Sequence, residues 1–428
     1  MVSKDAKIHR LERELIRLRS SPSLRLGAHL TDAMRKPWLA IFLPITLPWA
    51  MLMLGLEMLG KKAPPPTLER VTQDPSLEER NCVVIFPTNG VGFGHFTRML
   101  ALAKQMKLAD SKLEIIFFST MPTLHLLKPY GIPAHHVSGP KFFDGMTTEE
   151  WNGLLEEQLA ICLEAHRPKK FIFDGAFPYR GMLRAIKTKP DVEKIWVRRS
   201  AFRRGKSVPV DSVEHFDLIV HPEDSISRLP SEIEHNVPTI TCPPITLLNS
   251  EEMMNREVAR RRLKLPLDVI VAYVQIGAGE INDINSEVRL TIDALTNHED
   301  VHVVLGESML GERFDFDLPR VHLLRDYPNS MYFPAFDISI QAGGYNSFHE
   351  MRKFGMPTLF YPNLFTGMDD QLARCNVAVE EGWGAVLKER NSDTINLAIS
   401  ELLEEAGKRN PRGVENGSIS LASEILSR

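Results

Sequence analysis

Ser339-Ile340-Gln341-Ala342-Gly343-Gly344-Tyr345-Asn346-Ser347-Phe348-His349-Glu350 runs from an apolar strand pattern through two glycines into the start of a helix, and Asp369-Asp370-Gln371 follows farther on. Glycines at such a junction let an anionic ligand reach the backbone, and the first amides of the helix point outward with partial positive charge. Asn346 and Ser347 supply capping oxygens or further donors. Glu350, one turn in, is placed to accept both hydroxyls of a ribose diol. The pattern predicts a diphosphate site. The plain alternative is a strand-to-helix turn closed by its own cap, and the segment alone leaves both open.

Outward from this turn, buried strand patterns alternate with helical ones. Strands are predicted at 82–86, 113–118, 170–173 and 194–197, with helices at 96–108 and 149–166 between them. A second series has strands at 269–275, 301–305, 321–324, 337–341 and 358–361, with helices at 286–297, 347–354, 371–381 and 394–405. The fold class is therefore α/β: two Rossmann-like, doubly wound domains, 80–245 and 246–428, facing across a cleft with a hinge near 243–249.

Gly344, Tyr345, Asn346, Ser347 and Glu350 resemble the donor-nucleotide motif of GT-B glycosyltransferases, a superfamily that includes the UDP-glycosyltransferases and the peptidoglycan lipid-intermediate N-acetylglucosaminyltransferase. The resemblance covers roughly residues 80–410 and is more specific in the second domain than in the first. It implies that the turn from Gly343 to Ser347 holds a diphosphate, that Glu350 binds ribose, and that Asp370 and Gln371 bind hydroxyls of the donor sugar. Ala342 departs from the pattern, since many UDP-glycosyltransferases carry a phosphate-binding His there. The loop Gln275-Ile276-Gly277-Ala278-Gly279-Glu280 resembles the glycine loop facing the diphosphate from the other side, which makes Gly277 and Gly279 donor-binding candidates and Glu280 and Asp283 weaker ones. Arg325-Asp326-Tyr327-Pro328 matches the segment that cradles the nucleobase, so Arg325 joins the donor set.

In the first domain, Asn89-Gly90-Val91-Gly92-Phe93-Gly94-His95-Phe96-Thr97-Arg98 follows the opening strand. A glycine turn after a first strand is common and need bind nothing. The loop nevertheless resembles the first loop of the peptidoglycan enzyme and of the UDP-sugar hydrolase of pseudaminic acid synthesis, which places Gly92, Gly94 and Arg98 on the acceptor side. His95 is a candidate base for an acceptor hydroxyl or a donor to phosphate. Arg98, on the same helical face, can hold an anionic acceptor group or make an ordinary ion pair. Asp174 in Phe171-Ile172-Phe173-Asp174-Gly175 ends a strand at the ligand-binding edge and is the second candidate base; a turn-capping role is its alternative. Arg198, Arg199, Arg203, Arg204 and Lys206 form a basic group that faces either a lipid diphosphate or solvent. Asp315-Phe316-Asp317 has the spacing of a metal-binding DxD but lies in a polar loop, so no metal and no cofactor is expected.

The chain opens with a basic segment, 1–36, in which Ile8, Leu11, Leu15 and Leu18 predict an amphipathic helix over 7–19, suited to a second protomer, a membrane or the protein's own body. Residues 37–60 hold an uncharged run from Trp38 to Leu56 that is long enough as a helix to cross a bilayer, but Pro44 and Pro48 interrupt it. Basic pairs on both sides, Arg35-Lys36 and Lys61-Lys62, favour a monotopic, re-entrant dip with both flanks cytoplasmic. Residues 61–79 read as a linker.

The 428 residues, 43% hydrophobic, allow two full domains, and a net charge of -4 without a basic folded segment excludes a nucleic-acid partner. Four scattered cysteines show no metal or disulfide spacing, which fits a reducing cytoplasm. The expected protein is a membrane-associated glycosyltransferase at the cytoplasmic face. It would move a sugar from a UDP-sugar to a lipid-linked or membrane-proximal glycan acceptor, with inversion. A nucleotide-sugar hydrolase or epimerase of the same fold, and a non-catalytic glycan-assembly scaffold, are the other readings.

Overall fold

The computed structural model describes residues 21–59, 61, 80–88, 92–201, 203, 211–226, 235–277, 285–309, 313–314, 316–366, 368–413 and 415–428. The helix expected at 7–19, nearly all of the linker, Gly279, Glu280, Asp283, Asp315, Arg204 and Lys206 lie outside these residues.

The first sheet contains β1 (Cys82–Pro87), β2 (Glu114–Ser119), β3 (Ala134–His136), β4 (Lys170–Asp174), β5 (Glu193–Val197), β6 (Leu218–Pro222) and β7 (Thr239–Cys242). Its order is β3-β2-β1-β4-β5-β6-β7, with every neighbouring pair parallel. The second sheet contains β8 (Ile270–Gln275), β9 (Val301–Gly306), β10 (Val321–Leu324), β11 (Ile338–Gln341), β12 (Thr358–Phe360) and β13 (Gly384–Val386) in the order β10-β9-β8-β11-β12-β13, also all parallel. Central strands such as β1 are buried along their whole length because helices cover both faces, which is why they read as unbroken apolar runs.

Before the sheets come α1 (Pro22–Arg35), α2 (Pro37–Ala40) and α3 (Leu43–Met58), in a different compact unit from them. The first sheet carries α4 (Gly94–Ala109), α5 (Thr148–His166) and α6 (Arg180–Lys187). The second half adds α7 (Arg256–Arg262), α8 (Asn285–Thr296), α9 (Tyr345–Phe354), α10 (Gln371–Glu380), α11 (Ser392–Glu404) and α12 (Gly417–Ser427). The apolar run from Trp38 is broken by a turn at Ile41–Phe42, and α3 holds Pro48 in its interior. Among the described residues, no helix is long and apolar enough to cross a membrane.

One boundary differs from expectation. The last helix, α12, packs on α4, and Leu421, Ala422 and Ile425 belong to the core of the first sheet, so the chain returns to the first domain instead of ending in the second. Gly417 makes the return possible: a Cβ there would sit 1.8 Å from the carbonyl oxygen of Pro243. Asn416 beside it donates to the Thr246 carbonyl at 2.9 Å, and Lys353 donates to Asn249 Oδ1 at 2.8 Å, which fastens the connection between the domains to both of them.

Strand order then positions the site. The first sheet reverses direction between β1 and β4, and the second between β8 and β11; a crevice opens at the C-terminal ends of strands where order reverses. Pro87 is in register with Asp174, and Gln275 with Gln341. The ends of β1 and β4, and those of β8 and β11, are therefore neighbours in space.

Candidate active site

In the second domain, Gly343 takes φ +80°, and a Cβ on it would lie 2.2 Å from Cys375 Sγ, so only glycine fits. Gly344 is the N-cap of α9, and no side chain caps this end; its first turn has no acidic residue. The helix begins with the Phe348 amide on the Gly344 carbonyl at 2.9 Å, and Ser347 Oγ also donates to that carbonyl, at 3.2 Å. The first amides of a helix have no intrahelical acceptor, so this end presents them as anion donors. Gly277, φ +110°, lies close by: its Cβ position is 3.9 Å from that of Ala342.

Glu350 is half-buried one turn into α9, and burial pushes its carboxyl up to about 7 although Ser330 and Lys353 pull it down. Around it, Tyr273 donates to Gln275 Oε1 at 3.0 Å and accepts from Asn329 Nδ2 at 3.0 Å. Gln341 is fully buried, and its amide oxygen and nitrogen have no partner among the described residues.

Other members of the expected donor set also make contacts within the protein. Asp370 Oδ1 accepts the Ala373 amide at 3.1 Å as N-cap of α10, and Gln371 Oε1 accepts the Asn363 amide at 2.9 Å. Arg325 donates to the Met309 carbonyl at 3.1 Å. Tyr345 and Asn346 reach across to the first domain: Tyr345 OH donates to the Glu223 carbonyl at 2.9 Å and Asn346 Nδ2 to the Gly94 carbonyl at 3.3 Å. The Tyr345 ring lies between Arg98 and Arg374, at 5.4 and 5.8 Å from its centroid.

In the first domain the candidate bases form one cluster. His95 Nδ1 is 2.8 Å from Asp174 Oδ1; Arg98 donates from Nε to Oδ2 at 2.8 Å and from a terminal nitrogen to Oδ1 at 2.5 Å. Asp174 has no exposed surface. Burial alone would raise its carboxyl, but Arg98 and His95 outweigh that and hold it below the ordinary range. An ionised carboxylate only accepts, so the proton between it and His95 sits on Nδ1, and Nε2 is left as the basic nitrogen. Asp174 is thus buried, ionised and bonded to both His95 and Arg98. Arg98, only 5% exposed, makes the ion pair that is one of its two expected roles.

The described members of the basic group, Arg198, Arg199 and Arg203, do not form a solvated face. Arg198 is buried over the Trp196 ring at 5.0 Å, with burial pushing it down to about 10; Arg199 is 3.6 Å from Asp369; and Arg203 donates to the Leu364 carbonyl at 2.8 Å. Nearby, sequence reasoning missed a buried ion-pair network between the domains. Buried Arg374 pairs with Asp224 at 2.6 Å and Asp369 at 2.7 Å while donating to the Gly343 carbonyl at 3.1 Å, which braces the glycine turn from behind. Burial would lower the Arg374 guanidinium, but the two carboxylates hold it well above its usual value. Nothing in the local sequence separates Arg374 from any basic residue on a helix. Asp317, the described half of the DxD spacing with Phe316, is exposed.

No protein-family model and no curated protein matches this sequence. Solved structures do. The glycotransferase of kitacinnamycin is similar over 82% of this chain and 99% of its own, with a TM-score of 0.54 at 13% identity. The spinosyn forosaminyltransferase SpnP is similar over 82% and 94%, with a TM-score of 0.53 at 14% identity. MurG of Acinetobacter baumannii is similar over 81% and 99%, with a TM-score of 0.50 at 13% identity. At such identities the likeness is one of architecture, and it agrees with the strand orders above: the chain has the GT-B fold of these glycosyltransferases.

Proposed function

We propose that this protein is a glycosyltransferase that moves a sugar from a nucleotide donor, a UDP-sugar, to a hydroxyl of a lipid-linked or membrane-proximal glycan at the cytoplasmic face of a membrane, with inversion and without a metal. One observation carries the reading. The His95–Asp174 pair and the uncapped start of α9 stand at the two strand-order reversals and meet at the Asn346–Gly94 contact of 3.3 Å, so a base and an anion site face one cleft.

In the proposed reaction, His95 Nε2 takes the proton of the acceptor hydroxyl as its oxygen bonds to the anomeric carbon. Asp174 stabilises the resulting imidazolium through Nδ1–H, and buried Arg98 keeps Asp174 ionised and oriented. The bond between the anomeric carbon and the diphosphate oxygen breaks on the opposite face. Its electrons go to the diphosphate, where the amides of Gly344 to Ser347 receive the charge. Glu350 accepts the ribose hydroxyls. Asp370 and Gln371 meet hydroxyls of the donor sugar.

The test is nucleotide binding followed by turnover. UDP or a UDP-sugar raises the melting temperature of the wild-type protein, Glu350→Ala abolishes most of that rise, and His95→Ala keeps it while losing acceptor-dependent UDP release. Absence of any nucleotide response in the wild type overturns the reading. Equal UDP release with and without acceptor assigns the site to a hydrolase.

A further inference from the structure

Helices α1–α3 bury Ala33 and Leu54 and hold polar pairs between them while exposing a long apolar stripe. Arg25 pairs with Glu57 at 2.6 Å, the Glu57 side chain being 9% exposed, and His29 Nε2 is 3.0 Å from Thr46 Oγ1. Glu57 is the sole charged residue of α3, so its charge is neutralised within the pair. Outward are Trp38, Ile41, Phe42, Ile45, Trp49 and Leu52, between 53% and 75% exposed. Their three- and four-residue spacing makes one stripe along α2 and α3. Lone exposed apolar residues are ordinary; a continuous stripe of six with the ion pair turned inward needs a covering.

Charge and length identify what covers it. Within 21–61, Arg25, Arg35, Lys36 and Lys61 oppose only Asp32 and Glu57, whereas the whole chain has a net charge of -4. Indoles and basic side chains at the ends of an apolar stripe suit the boundary between headgroups and acyl chains, and the positive excess suits anionic lipid. The 16 residues of α3 extend about 24 Å at helical rise, short of a hydrocarbon core of roughly 30 Å. Pro48 also leaves the Pro44 carbonyl without its helical donor, which is costly deep in hydrocarbon and tolerable near water. Basic residues at both ends, Arg35-Lys36 and Lys61, exclude insertion tip first.

We propose that α1–α3 form a hairpin that lies flat in one leaflet of an anionic phospholipid bilayer. The stripe from Trp38 to Leu52 enters the acyl boundary, Arg35, Lys36 and Lys61 meet the headgroups, and the Arg25–Glu57 pair removes the charge that would oppose burial. This deepens the membrane-proximal part of the reading above by naming its partner, and its test reads lipid instead of turnover.

The full chain is mixed with vesicles of equal parts phosphatidylcholine and phosphatidylglycerol, then floated. Of the five tryptophans, Trp151, Trp196 and Trp383 are 2%, 0% and 6% exposed, so a blue shift of emission on adding vesicles reports Trp38 and Trp49. The protein is expected to float and to shift, and to bind phosphatidylcholine alone more weakly. Ile45→Glu with Trp49→Glu is expected to cut partition by roughly a hundredfold, about tenfold for each side chain lost from the lipid. Its melting temperature in buffer and its response to UDP are expected to stay at the wild-type level, which separates this test from that of the catalytic reading. A wild-type protein that stays out of the floated fraction, or a double variant that floats as well as wild type, overturns the proposal. So does a lipid-free dimer that the double variant dissolves, which would assign the stripe to a second copy of the chain.

Discussion

The two walls of the cleft are built from different materials. The first-domain wall is made of side chains: His95, Asp174 and Arg98 form a closed, charge-balanced cluster in which each position depends on chemical identity. The second-domain wall is made of backbone: a glycine at φ +80°, an uncapped helix start, and a buried arginine bracing the Gly343 carbonyl from behind. A wall of side chains fails when an atom is exchanged. A wall of amides fails when the chain is bent, and it is more forgiving of what the side chains are.

The largest effect expected from this contrast is at Asp174. Asp174→Asn leaves the shape intact but removes the charge that fixes the His95 tautomer, so kcat in an acceptor-dependent assay falls by about a thousandfold or more. Because Arg98 is then buried without its carboxylate, urea denaturation should show a loss of about 3 kcal/mol. A variant with wild-type kcat would make the cluster a structural ion pair only.

Next is Gly343→Ala, where the new methyl meets Cys375 Sγ in a backbone conformation that L-residues avoid. A stability loss of about 2 kcal/mol in thermal unfolding, together with loss of the nucleotide-induced rise in melting temperature, is expected. Retained binding would break the idea that the amides carry the anion.

Glu350 gives a smaller effect that depends on pH. Its folded-state carboxyl lies near 7, above its ordinary value, so the stability it contributes is present at low pH and is lost as pH rises through about 7. Ribose hydroxyls donate to the ionised form, so donor affinity should move the other way. It should rise by up to about tenfold per pH unit below 7 and flatten above it, and Glu350→Gln should remove the slope. Calorimetric titration of UDP across this range checks both arms; a flat wild-type profile would place the ribose elsewhere. Smallest of all, Asn346→Ala loses one hydrogen bond to the Gly94 carbonyl, and kcat/KM should change by no more than about fivefold.

Much of the fold was legible because parallel strands buried on both faces leave long apolar runs. β1, β4, β8 and β9 came out nearly to the residue. The short strands β3, Ala134–His136, and β13, Gly384–Val386, lie at the outer edges of the sheets and carry no such run. β7, Thr239–Cys242, is an edge strand buried only at its end. At the site, His95 and Asp174 were both picked out, but as rivals. Asp370 and Gln371 stand out as a pair, but that the neighbouring Asp369 pairs with Arg374 and that Asp370 also caps a helix is not visible in the sequence.

The order of strands and helices, the glycine turn before α9 and the apolar stretch near the N-terminus were determined by the sequence alone, because periodicity, glycine conformation and hydropathy are local. Pairings were decided only by the tertiary structure. His95 and Asp174 are 79 residues apart and meet because β1 and β4 run parallel in register. Arg374 and Asp224 are 150 apart and meet because the domains close on each other. Which charge answers which, and so which carboxylate is an anchor and which arginine a brace, follows from burial and distance across the fold, and no local pattern encodes either.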